Sequence, residues 1–221
     1  MPARKRKAHD VRPRRGRPTA ARVEAIGQSI FNEAKAQFLT LGFEGTAMEV
    51  VATRAGVSKN TLYARFPTKE ALLRAVIETQ METWWSEGSP IDRLLAEDPR
   101  ERLRNRARTA IVFAGTEDAS RFAALIYSIA TTAPELAKTF YERGYKSGID
   151  QFIHDIAEWD RGHGPLPHSP RVLAEMLMAM LVGWISTERT VRSIPVAEAE
   201  AFADQAIDLV IPAPSRAKKR R

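Results

Sequence analysis

The chain of 221 residues contains no cysteine. This absence excludes a disulfide framework and a thiolate metal site, so the fold must depend on packing. Long apolar runs are also lacking, because the longest stretch, MLMAMLVGWI at 176–185, is too short to cross a bilayer. Residues 1–22 contain no hydrophobic run of the kind that a signal peptide needs. We therefore expect a cytoplasmic protein.

Familiar catalytic motifs are missing as well. The sequence has no G-x-S-x-G, no H-E-x-x-H and no glycine-rich phosphate loop. His163 and His168 share a loop with Asp160, but their spacing matches no standard metal site. The carboxylates in DPRERLRNR at 98–106 lie beside arginines, which is typical of solvated ion pairs on a helix surface. We expect neither an enzyme nor a bound metal or cofactor.

Positive charge is concentrated at the two ends of the chain. Residues 1–17 hold eight Lys/Arg against one acid, and RAKKRR at 216–221 adds five more positive charges. The net charge of the whole chain is +7, which leaves a net charge of −5 for residues 18–215. Basic ends on an acidic body indicate a polyanionic partner. We interpret residues 1–18 and 212–221 as disordered basic extensions.

Apolar residues recur at three- and four-residue spacing almost throughout, and no convincing strand pattern is present. The spacing predicts a first helix over 19–41, ended by Gly42, and a second from Thr46, where Thr46 and Glu49 form a capping box. Further helices are predicted over 58–64, 68–87, 91–96, 100–115, 118–131, 135–160, 171–191 and 196–210. The chain is therefore predicted to be all-α, with a compact part at 19–67 and a larger helical bundle at 68–211.

Residues 46–66, TAMEVVATRAGVSKNTLYARF, have the pattern of a helix-turn-helix. Gly56 is able to take the positive φ that a sharp turn between two short helices requires. Small or apolar residues fill the junction in this pattern: Val51, Ala52, Val57 and Leu62. Polar side chains from Ser58 to Thr61 open the second helix, where short groups reach base edges in the major groove. An ordinary helical hairpin with a polar surface has the same local pattern.

The wider stretch TAMEVVATRAGVSKNTLYARFPTKEALLRAV at 46–76 resembles the hallmark of the TetR family of bacterial transcriptional regulators, T-x-x-x-I-A-x-x-A-G-V-S-x-G-T-L-Y-x-Y-F-x-S-K-E-x-L. The resemblance implies an N-terminal three-helix DNA-binding domain, and it extends over about residues 20–80. It implies DNA contacts from the matching positions Thr46, Ser58, Lys59, Asn60, Thr61, Tyr63, Arg65 and Lys69. Asn60 and Arg65 depart from the residues common in the family, so no operator sequence is carried over.

The same resemblance implies a C-terminal domain that binds a small molecule and dimerises through the last two helices. A wide apolar stripe on 171–191 exceeds what one helix of a monomer needs, and it predicts a dimer interface at Leu173, Leu177, Met180, Leu181 and Trp184. The candidate lining of a ligand pocket is aromatic: Phe113, Phe122, Tyr127, Tyr141, Phe152 and Trp184. Aromatic residues at helical spacing are more often plain core. The expected effector is apolar or aromatic.

The basic arm contains Arg15-Gly16-Arg17-Pro18, which resembles the core of an AT-hook. Arg15 and Arg17 would then enter a narrow minor groove, whereas a plain electrostatic tether explains the charge equally well.

The resemblance to the TetR family predicts a homodimeric, ligand-responsive repressor that binds a palindromic operator in the bacterial nucleoid. The alternative is an architectural DNA-binding protein that has no effector and depends on its basic ends.

Overall fold

The computed structural model describes residues 19–92 and 96–211, and for residues 85–92 it describes the backbone alone. Every regular element in these ranges is helical, which confirms the predicted all-α class. In chain order the elements are α1 (Ala20–Gly45), α2 (Met48–Arg54), α3 (Lys59–Arg65), α4 (Lys69–Asp92), α5 (Pro99–Ala114), α6 (Glu117–Ile129), α7 (Pro134–Phe140), a π-helical segment (Tyr141–Tyr145), α8 (Lys146–His163), α9 (Pro170–Glu188) and α10 (Val196–Val210). The basic extensions, with Arg15 and Arg17, lie outside the described residues.

The first helix begins and bends where the sequence predicts. The Thr19 side chain accepts a hydrogen bond from the Arg22 amide at 3.4 Å and caps the N-terminus of α1. Gly42 has φ 71°, which interrupts the helix before its last turn, as the predicted glycine stop requires. The predicted capping box on α2 is wrong, because Ala47 occupies the N-cap position and the Thr46 hydroxyl donates to the Gly42 carbonyl at 2.8 Å.

Two boundaries differ from the sequence prediction. Gly88-Ser89-Pro90 does not end α4, which continues to Asp92, since a proline in the last turn removes one backbone hydrogen bond and leaves the rest of the helix intact. The helix predicted over 135–160 is interrupted by the π-helical segment. Gly144 in this segment lies so close to Met81 of α4 that a Cβ atom there would be 2.9 Å from the methionine sulfur.

The core has two parts. The first cluster joins α1–α4 to α6 and α7, and its buried members include Ile30, Phe38, Val51, Leu62, Leu73, Ile77, Phe122 and Leu136. The second cluster joins α5 to α8, α9 and α10, and its buried members include Leu103, Ile111, Phe152, Ile156, Leu177, Leu181, Ala203 and Ile207. No helix in the described ranges is long and apolar enough to span a membrane.

Within the second cluster, arginines of α5 form ion pairs with carboxylates of α8. Buried Asp155 of α8 accepts hydrogen bonds from Arg102 Nε at 3.0 Å and from Arg106 Nε at 2.8 Å. Arg102 also pairs with Glu158, one turn further along α8. Because Arg102 and Arg106 are four residues apart, they lie on one face of α5 and meet α8 together.

A second row of arginines on α5 meets α10. Arg108 forms a two-pronged pair with Asp204, with N···O distances of 2.8 and 2.7 Å. Arg100 and Arg104 both reach Asp208 at 2.7 Å. This row is offset by two residues from the row that meets α8, so α5 is clamped from two sides.

Within the first cluster, fewer described polar contacts link α1 and α4 to α6 and α7. Lys35 of α1 pairs with Asp118 at the start of α6, with 2.8 Å between Nζ and Oδ2. Arg74 of α4 donates to the Thr139 hydroxyl of α7 at 2.9 Å. These two contacts and the apolar packing hold α1 and α4 against the C-terminal helices.

Candidate DNA-binding surface

The turn between α2 and α3 has the geometry that the sequence predicts. Gly56 has φ 70°, and the Val57 amide donates to the Ala52 carbonyl at 3.0 Å. Ala52 is 1% exposed, which allows the two helices to approach closely at the crossing. The Ser29 hydroxyl of α1 donates to the Ala55 carbonyl at 3.0 Å and fixes the turn against the first helix. The α2–α3 pair is therefore a helix-turn-helix supported by α1.

The N-terminal end of α3 exposes four polar residues to solvent: Ser58, Lys59, Asn60 and Thr61. Ser58 caps the helix, because its Oγ accepts the Thr61 amide hydrogen bond at 3.0 Å. The two hydroxyl oxygens of Ser58 and Thr61 are 2.7 Å apart. Leu62, on the opposite face, is fully buried and anchors α3 to the core. This arrangement brings together the four predicted base-reading residues on one exposed helix end.

Glu49 of α2 organises the adjacent surface, a role that sequence reasoning missed. The Tyr63 hydroxyl donates to Glu49 Oε1 at 3.1 Å, and Lys59 Nζ lies 3.9 Å from the same oxygen. A hydrogen bond from its own backbone amide, then the Tyr63 hydroxyl and the Lys59 charge, lower the pKa of Glu49. The hydrogen bond from the Tyr63 hydroxyl to Glu49 in turn raises the pKa of Tyr63. No local pattern indicates these contacts, because the partners are 10 and 14 residues away.

Arg65 at the end of α3 and Lys69 at the start of α4 add positive charge to the surface. Lys69 Nζ lies 4.5 Å from the ring centroid of Phe43 and donates to the Glu44 carbonyl at 3.3 Å. Arg65 is exposed, and its guanidinium lies beside Gly27 of α1, where a Cβ atom would be 3.0 Å from the nearest nitrogen. Both cations are at the edge of the surface that α3 presents. They contribute positive charge next to the predicted base-reading residues.

Thr46 differs from the other predicted contacts. Its side chain is 3% exposed, and its hydroxyl is engaged with the Gly42 carbonyl. The phosphate contact implied for Thr46 stays a prediction, and its side chain is not free for it, because it closes the junction between α1 and α2. The sequence pattern places a threonine here, but it does not reveal which neighbouring carbonyl the hydroxyl reaches.

Of the six aromatic residues predicted to line a pocket, only Phe113 and Phe122 come together, because both pack against Trp84. Phe122 is buried in the first cluster and Phe152 in the second. Tyr127 is 70% exposed and Tyr141 48% exposed, so neither lines an interior cavity within this chain. Phe113 packs edge-on against Trp84, which also contacts Phe122. The Trp184 ring stacks instead on Phe202, with 4.3 Å between the ring centroids.

The predicted dimer interface is also corrected in part. Leu173, Leu177 and Leu181 are at most 3% exposed, because they pack into the second cluster of their own chain. Met180 and Trp184 are half-buried. The apolar stripe of α9 is wide because it supplies this core on one side, and the opposite side carries exposed Val172 and Met176.

Three side chains on α8, His154, Asp155 and Glu158, place their ligand atoms within 4.8 Å of one another. Arg102 bonds both carboxylates, and Arg106 also bonds Asp155. The guanidinium groups use the oxygens that a cation would need and add two positive charges beside them. The cluster is better suited to joining α5 to α8 than to holding a metal ion.

Residues 30–76 match the sequence model of the family of bacterial regulatory proteins, tetR family. The chain is 42% identical over 62 residues to the HTH-type transcriptional regulator RutR of Escherichia coli K12. The aligned residues cover 28% of this chain and 29% of RutR. It is 35% identical over 77 residues to the A-factor receptor protein of Streptomyces griseus, covering 34% of this chain and 28% of that protein. The chain thus matches less than a third of the length of these curated relatives.

The likeness extends further in three dimensions. A TetR-family transcriptional regulator from Mesorhizobium loti MAFF303099 has the same fold with a TM-score of 0.73 and 27% identity, over 87% of this chain and 97% of that chain. Residues 30–76 therefore match the TetR family in sequence, and the chain shares its fold with a TetR-family regulator. The TetR match begins within α1, contains all of α2 and α3, and ends within α4. TetR-family members are transcription factors rather than enzymes, which agrees with the non-enzymatic class predicted from the sequence.

Proposed function

We propose that this chain is a homodimeric TetR-family repressor that binds a palindromic operator through α3 and leaves it when a small-molecule effector binds. The observation that carries the proposal is the exposed, capped end of α3 with Ser58, Lys59, Asn60 and Thr61 together. Asn60 has the amide that pairs with adenine N6 and N7, and Lys59 is able to bond guanine or a phosphate. Tyr63, Arg65 and Lys69 lie beside them as candidate backbone contacts.

The basic arm has a supporting role in this proposal. The domain body at 18–87 has seven Lys/Arg and eight Asp/Glu, so much of the attraction to phosphates must come from charge outside it. Arg15 and Arg17 directly precede α1 in sequence and are the candidates for that contact. Deleting residues 1–17 is expected to weaken DNA binding and to reduce its salt dependence.

The homodimer is supported by an exposed apolar line on α9 and α10. Val172 and Met176 are 41% and 51% exposed, and Leu209 of α10 is 78% exposed. Ala179 and Gly183 continue the exposed side of α9 with small residues, and at Gly183 a Cβ atom would meet nothing within 4 Å. A second copy related by a two-fold axis would cover this face and place two α3 helices about 34–36 Å apart.

Sedimentation equilibrium tests the dimer. Leu209→Glu and Met176→Arg are expected to shift the protein to monomer, because each would bury an unpaired charge in the interface. Val23→Glu is the matched control, since Val23 is a 46% exposed apolar residue on α1, outside α9 and α10. Wild-type protein that sediments as a monomer at micromolar concentration would contradict the dimer proposal.

The effector half of the proposal is supported by aromatic residues where α4–α7 meet. The Trp84 ring packs edge-on against Phe113 and Phe122, at centroid distances of 4.9 and 5.5 Å, and Phe122 stacks on Phe140 at 6.0 Å. Phe113 is 40% exposed, so this cluster is open to an apolar or aromatic molecule. Phe113→Ala is expected to weaken the response to a compound that releases wild-type protein from DNA.

Selection of bound duplexes from a random DNA pool tests the main proposal. We expect an enriched palindrome whose half-sites are about one helical turn apart. Asn60→Ala is expected to cost about 1–3 kcal/mol of binding free energy and to relax selection at one base pair per half-site. Asn32→Ala on α1, which also removes an exposed amide, serves as the control. Equal binding of scrambled DNA at physiological salt would favour the architectural alternative.

A further inference from the structure

A cleft of about 230 Å³ lies between α1 and α6, and we call it the α1–α6 cleft. Phe38, Leu39 and Gly42 form its α1 side, and Arg121, Leu125 and Ser128 belong to its α6 side. None of these residues belongs to the aromatic cluster around Trp84 or to the surface of α3. The cleft therefore lies where the DNA-binding helices meet the C-terminal helices, and clefts at domain junctions are frequent ligand sites.

The chemistry of the cleft combines an aliphatic wall with one cation. Leu39 is half-buried and Ala124 is exposed, so these two residues offer aliphatic surface in the cleft, whereas Phe38 and Leu125 are almost fully covered. The Arg121 guanidinium is paired with Glu117 on its own helix at 2.7 Å, with side chains 59% and 72% exposed. An exposed pair of this kind contributes little to stability, so an incoming carboxylate is able to replace Glu117. Arginine binds carboxylates with two parallel hydrogen bonds.

The position of the cleft connects it to the helix-turn-helix. Gly42 lines the cleft at the point where its positive φ interrupts α1. Its carbonyl accepts the hydroxyl hydrogen bond of buried Thr46, two residues before α2 begins. On the α6 side, Asp118 is paired with Lys35 of α1, three residues before Arg121. A molecule in the cleft would thus lie against the backbone that positions α2 and against the contact that joins the domains.

We propose that the α1–α6 cleft binds a small apolar monocarboxylate, with its carboxylate on Arg121 and its apolar part on Leu39 and Ala124, and that binding changes the DNA affinity of α3. A volume of about 230 Å³ suits a molecule of the size of benzoate rather than a drug-sized ligand. A bound molecule stabilises one separation of α1 and α6, and so it favours one placement of the junction at Gly42. The second half of this proposal rests on the proposed DNA-binding function, whereas the first half does not.

Calorimetric titration of the full chain tests the binding half, with benzoate, and with neutral benzamide as its matched comparison. Wild-type protein is expected to bind benzoate saturably and benzamide at least about tenfold more weakly, because benzamide lacks the charge. Arg121→Gln should weaken benzoate binding at least about tenfold. Arg171→Gln, which removes an exposed arginine from a similar i,i+4 pair on α9, should leave it unchanged. Absence of saturable benzoate binding, or equal binding by Arg121→Gln, overturns the proposal.

A second variant separates loss of the site from loss of the fold. Leu39→Trp fills the cleft from the α1 side and is expected to abolish benzoate binding. Thermal unfolding of each variant checks that the fold is retained. Because Arg121 is exposed, Arg121→Gln keeps the proposal testable even where Leu39→Trp does not fold.

The regulatory half is measured with the duplex selected from the random pool. Saturating sodium benzoate, compared with sodium chloride at equal ionic strength, is expected to raise the operator Kd of wild-type protein at least about threefold and to leave that of Arg121→Gln unchanged. An unchanged Kd for wild-type protein that binds benzoate overturns the regulatory half alone. Failure to bind any selected duplex contradicts the proposed function and leaves the calorimetric result standing as the test of the cleft.

Discussion

In the second cluster, arginines from two faces of α5 reach carboxylates on α8 and α10, whereas in the first cluster α1–α4 meet α6 and α7 mainly through apolar contact. Lys35–Asp118 and Arg74–Thr139 are polar links across that second boundary. The difference indicates that ion pairs reinforce the second cluster, whereas the contact of α1–α4 with α6 and α7 depends on apolar packing. Apolar contacts are non-directional, which suits a protein in which α3 must change position relative to the rest of the chain.

The largest expected effect comes from breaking the arginine clamp on α8. Asp155→Asn would leave Arg102 and Arg106 facing each other in a buried site without their shared carboxylate. We expect the free energy of unfolding to fall by about 3–5 kcal/mol. Urea unfolding followed by circular dichroism measures this change.

Asp204→Asn is the matched control, because it removes the partner of Arg108 at a site where both side chains are about a third exposed. Its expected cost is at most about 1 kcal/mol. Equal losses for the two variants would contradict the view that burial, rather than the number of pairs, makes the clamp strong.

The first cluster contains a buried amide that weakens it. Gln37 of α1 is 2% exposed, and neither its Nε2 nor its Oε1 has a hydrogen-bond partner among the described residues. Gln37→Met keeps the shape and removes the unsatisfied polar atoms, so we expect the free energy of unfolding to rise by about 1–2 kcal/mol. Gln28→Met, at an exposed position on the same helix, should change it little. Destabilisation by Gln37→Met would reveal a partner for the amide.

The ion pair between α1 and α6 is expected to contribute less to stability than the Asp155 clamp or the Gln37 substitution. Lys35 and Asp118 are 23% and 43% exposed, so their pair should contribute at most about 1 kcal/mol. A double-mutant cycle with Lys35→Met and Asp118→Asn measures the coupling energy between the two side chains. The coupling should decrease with added salt, because both groups are partly exposed. A coupling energy comparable to the loss at Asp155 would contradict the view that the contact between α1 and α6 depends mainly on apolar packing.

The smallest expected effect is the pH dependence of the α2–α3 surface. The pKa of Glu49 is lowered from its ordinary value of 4.5, so its contribution to stability is present above that value and is lost as the pH falls through the lowered pKa. The difference in melting temperature between wild type and Glu49→Gln should therefore shrink in acid. Thermal unfolding between about pH 3 and pH 7 measures it. A difference that is constant across this range would contradict the contact with Tyr63 and Lys59.

Local sequence patterns predicted the parts of the site that depend on neighbours in the chain. The Ser58 cap and the positive φ of Gly56 need a few adjacent residues, and both are observed as expected. The capping box failed at Thr46, because α2 begins one residue later than predicted, with Ala47 at the N-cap position, and the Thr46 hydroxyl donates to the Gly42 carbonyl instead. Local patterns therefore lose accuracy where the start of a helix shifts by one residue.

Tertiary contacts account for the other differences. Which side of α9 is buried depends on α5, α8 and α10 together, so the apolar stripe at Leu173 and Leu177 did not reveal whether it faces the chain's own core or a second copy. Arg102 of α5 pairs with Asp155, which is 53 residues away, and Arg100 pairs with Asp208, which is 108 residues away. Periodicity indicates that such a face exists, but it does not identify what the face meets.

The π-helical segment at Tyr141–Tyr145 has a consequence for how this fold tolerates insertions and deletions. A π-helical turn accommodates one more residue than an α-helical turn, so removing a single residue here would restore regular α-helical hydrogen bonding. Because the π-helical turn absorbs the extra residue locally, α7 and α8 would keep about the same relative orientation after the deletion. The same deletion within α8 would rotate the residues beyond it by about 100° around the helix axis. The fold is therefore expected to tolerate a one-residue deletion at Tyr141–Tyr145 better than one within α7 or α8.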